Sequence, residues 1–156
     1  MATDRKHLSG TETTTSAVAS PPVTKRLTAG VIGGLAGGAV FGALMAMMGM
    51  LPLIAMLVGS ESAIVGLLVH LAISVLIGLG LTLLLSRMLT GYARAAVVGL
   101  VYGALWWVLG PLLLMPSMMG MPVFMIDAAG WMSLIGHLLY GVTLGVTAAR
   151  VLRVRA

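Results

Sequence analysis

Two histidines stand alone within long apolar runs, and they are the residues best able to do chemistry. His70 lies in the stretch GLLVHLAIS and His137 in the stretch SLIGHLLYG. An imidazole can donate or accept a hydrogen bond, titrate near neutral pH and ligate a metal. Because an ionisable side chain inside a membrane-spanning helix is costly, each histidine is a candidate functional residue.

The simplest interpretation is that both histidines are hydrogen-bonded residues of a packed interior. A neutral imidazole has one donor and one acceptor, and nearby hydroxyl groups or backbone carbonyls can satisfy both. Suitable hydroxyl groups are those of Ser74, Ser133, Tyr102 and Tyr140. We favour this interpretation because most buried polar groups are simply paired.

A second interpretation is that His70 and His137 are the two axial ligands of a b-type haem in an electron-transfer protein. Two histidines at the same depth of a helical bundle can supply both ligands. Glycines next to them would leave room for a flat macrocycle. Close packing of helices through those same glycines argues against it, because a haem needs the helices to stand farther apart.

A third interpretation is copper binding or copper handling. The chain has 13 methionines, clustered in MAMMGM (45–50) and MPSMMGMPVFM (115–125), and Met118, Met119 and Met121 are the candidate ligands. Thioether sulfur favours soft Cu(I), and imidazole can join it. Methionine is also a flexible apolar side chain that fills gaps between helices, which is the simpler explanation.

The composition indicates an integral membrane protein. Of the 156 residues, 60% are hydrophobic and only 8% are charged, against about 25% charged in a typical soluble domain. No cysteine is present, which excludes disulfides and thiolate metal sites. The net charge is +5, but the basic residues flank apolar segments, as expected near lipid headgroups. Nucleic-acid binding is therefore not expected.

Four apolar segments are long enough to cross a bilayer as helices, at about 20 residues for each crossing. They cover approximately residues 28–50, 62–85, 95–114 and 131–152. All the lysines and arginines lie before the first, between the second and third, or at the end of the fourth. The positive-inside rule then predicts a cell-membrane protein with both termini in the cytoplasm. Residues 1–26 are polar and are predicted to be a flexible cytoplasmic tail, followed by a transmembrane domain over 27–156.

The transmembrane domain is predicted to consist of two tandem hairpins, approximately 28–85 and 95–152. GAVFGALMAMMGM (38–50) aligns with GLVYGALWWVLGP (99–111), and VGLLVHLAISVLIG (65–78) aligns with MSLIGHLLYGVTLG (132–145). The second alignment places His70 on His137. Each hairpin begins with a helix that we expect to break near its outer end, at Pro52 and at Gly110–Pro111. The repeats should be related by a pseudo-two-fold axis along the membrane normal.

Small residues recur every four positions and predict where the helices touch. Residues four apart share a helix face, and close approach through small residues is a common way for helices to pack in lipid. The predicted packing positions are Gly34, Gly38, Gly42, Gly66, Ser74, Gly78, Gly99, Gly103, Ser133, Gly141 and Gly145. His70 and His137 fall on the same stripes and should face protein. Glu61 and Asp127 precede apolar helices and are expected to cap them.

The segments GGAVFGALMAMMGM, VGLLVHLAIS, YGALWWVLGP and SLIGHLLYG resemble those of a group of small prokaryotic four-helix membrane proteins without an assigned function. The resemblance implies the four-helix architecture and a cell-membrane location, and it implies no activity. We therefore expect a non-enzymatic accessory, scaffold or sensor-like protein. Its partners would be the lipid bilayer and other membrane proteins or further copies of the chain.

Overall fold

The computed structural model describes residues 21–153, and this part of the chain is helical with no β-strand. Four of its helices are long and apolar enough to cross a membrane, which confirms the predicted fold class. The helices are α1 (Val23–Met47), α2 (Leu51–Ala55), α3 (Ala63–Leu85), α4 (Tyr92–Leu109), α5 (Met115–Met118) and α6 (Ala128–Arg153). Most of the predicted tail lies outside the described residues. Its last part does not match the prediction, because α1 already begins at Val23.

The two proline-containing segments differ from each other, and only one of them breaks a helix. α1 ends at Met47, and Pro52 then lies in the first turn of the short α2, where the missing amide hydrogen costs nothing. At Pro111 the predicted break is wrong. The helix continues from α4 through a π-helical turn over Gly110–Leu114 into α5, because the wider turn accommodates the proline without ending the helix.

The helix order across the bundle is α3, α1, α6, α4. α1 packs along both α3 and α6, and α6 also packs along α4. α3 hardly touches α6, and the backbones of α3 and α4 stay apart. A side-chain hydrogen bond joins that last pair of helices: the Tyr102 hydroxyl donates to the Ile77 carbonyl at 2.9 Å.

The α1–α3 and α4–α6 contacts are made at corresponding small residues. A β-carbon at Gly34 would lie 2.8 Å from the α-carbon of Val75, and one at Gly78 would lie 2.9 Å from that of Gly34. In the other pair, β-carbons at Gly99 and Gly141 would each collide with the other residue's carbonyl group. Of the predicted packing positions, Gly66 is different because it meets Leu51 of α2 rather than a long helix.

α1 reaches α6 through a second row of glycines on its other face. β-carbons at Gly33 and Gly37 would lie about 3 Å from the carbonyl oxygens of Leu144 and Tyr140. The aligned positions on α4 are Arg94 and Val98, so α4 has no corresponding glycine row. The backbones of α3 and α4 do not approach in the way that those of α1 and α6 do.

The described basic residues all lie at one end of the bundle, which we call the basic end. This end holds the start of α1, the α3–α4 connection and the end of α6. The basic residues are Lys25, Arg26, Arg87, Arg94, Arg150 and Arg153. Arg26 donates through Nε to the Thr82 carbonyl at 3.1 Å. Arg153 donates to the Thr90 carbonyl and lies 4.8 Å over the Tyr92 ring. These contacts hold the start of α1 against the last turns of α3, and the end of α6 against the α3–α4 connection and the start of α4.

Candidate functional site

A cavity of about 460 Å³ lies inside the bundle, toward the end opposite the basic end. Its walls come from all four long helices and from the segments that follow α1 and α4. Both His70 and His137 line it. The cavity occupies the space that the separation of α3 and α4 leaves, on the side of Tyr102 away from the basic end.

His70 is held by the backbone of α1. Its Nε2 lies 3.1 Å from the Gly38 carbonyl oxygen, and the side chain is buried. A carbonyl oxygen only accepts, so Nε2 carries the hydrogen and the neutral ring has its lone pair on Nδ1. A β-carbon on Gly42, one turn along α1, would lie only 3.3 Å from the His70 ring. The glycine at this position therefore makes room for the ring.

His137 is held within its own helix. Its Nδ1 lies 2.8 Å from the Ser133 carbonyl oxygen and 3.4 Å from the Ser133 hydroxyl oxygen. Nδ1 therefore donates to the carbonyl, and in the neutral ring the lone pair is on Nε2. Within residues 21–153, the Nδ1 of His70 and the Nε2 of His137 have no hydrogen-bond partner.

One phenylalanine contacts both imidazoles. The Phe41 ring packs edge-on against His70 with 5.2 Å between ring centroids, and against His137 with 4.8 Å. The two imidazoles can thus be no farther apart than the sum of these distances. Because one residue of α1 touches both rings, the two histidines lie near each other on the wall of the cavity.

The predicted hydroxyl partners are used differently from the expectation. Ser133 alone of the four contacts a histidine. The Tyr140 hydroxyl donates to the Ser74 carbonyl at 2.6 Å, and Tyr102 joins α4 to α3 as described. Backbone carbonyls therefore hold the imidazoles, because they are fixed by the helices and lie within reach without any side-chain rotation.

Two further polar groups line the cavity. Trp106 has an indole Nε1 that is buried and has no hydrogen-bond partner in the described part of the chain. Asp127 accepts from the Gly130 amide through Oδ1 at 2.8 Å, so it caps α6 as the sequence predicted. The expected cap by Glu61 is not formed, because Ser62 is the N-cap residue of α3 and no side chain caps that helix.

Nine of the 13 methionines line this one cavity. On the α1 side they are Met45, Met48 and Met50. On the other side they are Met115, Met118, Met119, Met121, Met125 and Met132. The three candidate copper ligands therefore share a cavity with both histidines. No group of three or more histidine, cysteine, aspartate or glutamate side chains lies close enough to hold a metal within residues 21–153.

A haem bridging the two histidines would need both rings to face one macrocycle. In the structure Phe41 packs against both rings, and His70 uses its Nε2 for the bond to Gly38. Haem ligation would require Phe41 to move and the His70 ring either to turn or to give up its bond to Gly38. Haem binding stays a prediction from the sequence, and the observed arrangement of side chains does not favour it.

The sequence analysis singled out His70, His137 and the methionine cluster that contains Met45, but it missed Phe41 as a residue of the same cavity. The repeat alignment pairs Phe41 with Tyr102. An aromatic residue at the same position of both repeats was the signal from which Phe41 could have been found. Comparisons with models of protein families, with curated proteins and with solved structures found no match to this chain, so its function has to be inferred from its own geometry.

Proposed function

We propose that this chain is a non-enzymatic, multi-pass cell-membrane protein that binds a small ligand inside its helical bundle, as an accessory or sensor-like component. The observation that carries the proposal is the cavity of about 460 Å³ with His70 and His137 in its wall. Ligand sites in proteins are typically concave, mostly apolar and about 300–1,000 Å³ in volume, with a few converging polar groups. This cavity has those properties.

The polar groups of the cavity support binding rather than catalysis. The free nitrogens of His70 and His137 can each contact a bound molecule. Asp127 is the one acidic residue in the wall, and its carboxylate already caps α6. The Ser133 hydroxyl lies beside His137 Nδ1, but that nitrogen donates to the Ser133 carbonyl and so cannot act as a base for the hydroxyl. Because the wall also has no pair of carboxylates, binding is the simpler function.

The proposed location follows from the charges at the two ends. The basic end would face the cytoplasm by the positive-inside rule. The cavity would then lie in the outer half of the cell membrane, where it would receive a ligand from outside. The bilayer would cover the exposed leucine, isoleucine and valine side chains of the long helices.

We also propose that the two hairpins are a tandem repeat. The contacts between Gly34 and Gly78 in the first hairpin correspond, in the alignment, to those between Ala95 and Gly145 in the second. Phe41 and Tyr102 also correspond. In such a repeat, the contact between α1 and α6 corresponds to that between α3 and α4. Divergence of the two repeats would then have kept α1 and α6 tightly packed and separated α3 from α4, which forms the cavity.

Cysteine labelling tests this function directly, because the chain has no cysteine of its own. Ser133 is buried and lines the cavity. We expect Ser133→Cys to react in intact cells with a small, membrane-impermeant methanethiosulfonate reagent added from outside. Reaction would show that a small molecule can enter the bundle from the outer side.

Two matched variants control the labelling. Ser62→Cys is exposed at the start of α3 and should react fully. Ser86→Cys is as buried as Ser133 but lies near the basic end, outside the cavity, and should not react. If Ser133→Cys stays unmodified while Ser62→Cys is labelled, the cavity is closed to small molecules and the proposed function is wrong.

A further inference from the structure

The cavity has the ligand chemistry of a soft metal site. We propose that it binds a monovalent soft cation, Cu(I), through the free imidazole nitrogens of His70 and His137 and the thioether of Met45. This inference rests on the proposed function and names the class of ligand. It commits to one of the interpretations that the sequence left open.

The orientation of the two histidines suits metal binding. A metal-ligating histidine commonly donates its second ring N–H to a carboxylate or a backbone carbonyl, which fixes the ring. His70 donates to the Gly38 carbonyl and His137 to the Ser133 carbonyl. In both residues the nitrogen that remains is unprotonated in the neutral ring and has no partner among the described residues.

Met45 is the thioether best placed to join them. It is 5% exposed and lines the cavity. It lies on α1 one turn beyond Phe41, which touches both imidazoles. Helical side chains lean toward the N-terminus of their helix, so the Met45 side chain leans back toward the level of the two rings.

The charge distribution favours a cation over an anion. Among the residues that line the cavity there is no lysine or arginine, and Asp127 supplies one negative charge. Thioether and imidazole are neutral ligands, and thioether selects Cu(I) over harder cations such as Mg²⁺ and Ca²⁺. An ion fills only a small part of the cavity, so the site lies at the wall that carries the imidazoles.

Met118, Met119 and Met121 line the same cavity on the segment after α4. Met118 and Met121 are exposed. We place these three on the path by which the ion enters, because exposed thioethers can exchange a soft ion one after another before it reaches the buried histidines.

The experiment uses the full chain in lipid nanodiscs, with Ag(I) as a redox-inert probe and Cu(I) under reducing conditions. Affinity is measured by competition with a chromogenic Cu(I) chelator and stoichiometry by elemental analysis. We expect one ion per chain. Met45→Leu should weaken binding at least tenfold, because leucine keeps the volume and removes the sulfur.

Met47→Leu is the matched control. Met47 lies two residues away on α1, is 79% exposed and does not line the cavity, so its variant should bind like the original chain. His70→Ala and His137→Ala should each weaken binding at least tenfold in protein that keeps its helical circular dichroism. X-ray absorption of the Cu(I) form should show sulfur and imidazole scattering, with the sulfur contribution lost in Met45→Leu.

The outcomes separate this inference from the proposed function. Absence of stoichiometric Ag(I) and Cu(I) binding overturns the metal site. Equal affinity in Met45→Leu and Met47→Leu overturns it as well, because the ion would then be bound elsewhere. If Ser133→Cys is still labelled in either case, the cavity is open to small molecules, so the proposed function stands and only the metal is excluded.

Discussion

The Phe41 ring occupies the space into which a β-carbon on Gly136 would project. This contact joins α1 to α6 at the level of the two histidines, since the same ring packs against His70 and His137. The absence of a side chain at Gly136 thus sets where Phe41 lies, and Phe41 in turn forms part of the cavity wall. A glycine on α6 thereby shapes a site whose two histidines lie on α3 and on α6 itself.

Gly136→Ala should destabilise the bundle by about 1–3 kcal/mol, the usual cost of overpacking a close contact. The added methyl group has to displace Phe41, and the rearrangement should change the cavity as well. Thermal unfolding in detergent measures the effect. Gly130→Ala is the control on the same helix, because a β-carbon there meets its nearest atom, Asp127 Oδ1, at an ordinary 3.5 Å. Equal melting temperatures for the two variants would contradict the packing described for Phe41.

Tyr140→Phe should cost about 0.6 kcal/mol and at most about 1.7 kcal/mol, the average and the maximum measured for hydrogen bonds between helices in membranes. Tyr140 is almost fully buried, and its hydroxyl donates to the Ser74 carbonyl at 2.6 Å. The phenylalanine keeps the ring packing and removes only this bond. Tyr92→Phe serves as the reference, because the Tyr92 ring is half-exposed and meets Arg153 through its face. A loss no greater than that of the Tyr92 variant would mean that the bond adds nothing to stability.

Gly99→Ala should separate α4 from α6 and lower stability by about 1–3 kcal/mol. A β-carbon at this position collides with the Gly141 carbonyl group, and backbone atoms cannot move aside as a flexible side chain can. Gly110→Ala places the same methyl group where no atom lies within 4 Å. The difference in melting temperature between the two variants isolates the helix contact. If both variants melt alike, the close α4–α6 packing is not what stabilises this half of the bundle.

The four helices and the burial of the histidines were predictable from sequence because both depend on local pattern. Long apolar segments must form helices in lipid, and glycine at every fourth position marks a contact face. The row Gly34, Gly38 and Gly42 identified the α1–α3 contact in this way. Gly33 and Gly37 form a second row with the same spacing, and recognising it would have predicted that α1 also packs against α6.

The cavity could not be predicted, because it depends on how helices that are distant in sequence are arranged. It forms where α3 and α4 stay apart, and no local pattern in the sequence indicates that separation. The π-helical turn at Gly110–Leu114 was also missed. A proline usually ends or kinks a helix, and only the packing of the following segment decides that the helix continues.

The haem hypothesis makes a spectroscopic prediction that differs from that of the metal site. Since His70 Nε2 donates to the Gly38 carbonyl and Phe41 packs on both rings, we expect protein from haem-supplemented cells to show no Soret band. The measurement is an absorption spectrum of the purified chain in detergent. A Soret band that disappears in both His70→Ala and His137→Ala would contradict this expectation and establish bis-histidine haem binding instead.

The orientation in the membrane can be tested with two single cysteines in the cysteine-free chain. Ser62 and Thr90 are both exposed and lie at opposite ends of α3. If the basic end faces the cytoplasm, a membrane-impermeant maleimide should label Ser62→Cys in intact cells and Thr90→Cys only after permeabilisation. The opposite pattern would place the basic end outside, and the cavity would then have to take its ligand from the cytoplasm. Labelling of both variants in intact cells would mean that the chain does not adopt a single orientation, because the two ends of one spanning helix cannot both face outward.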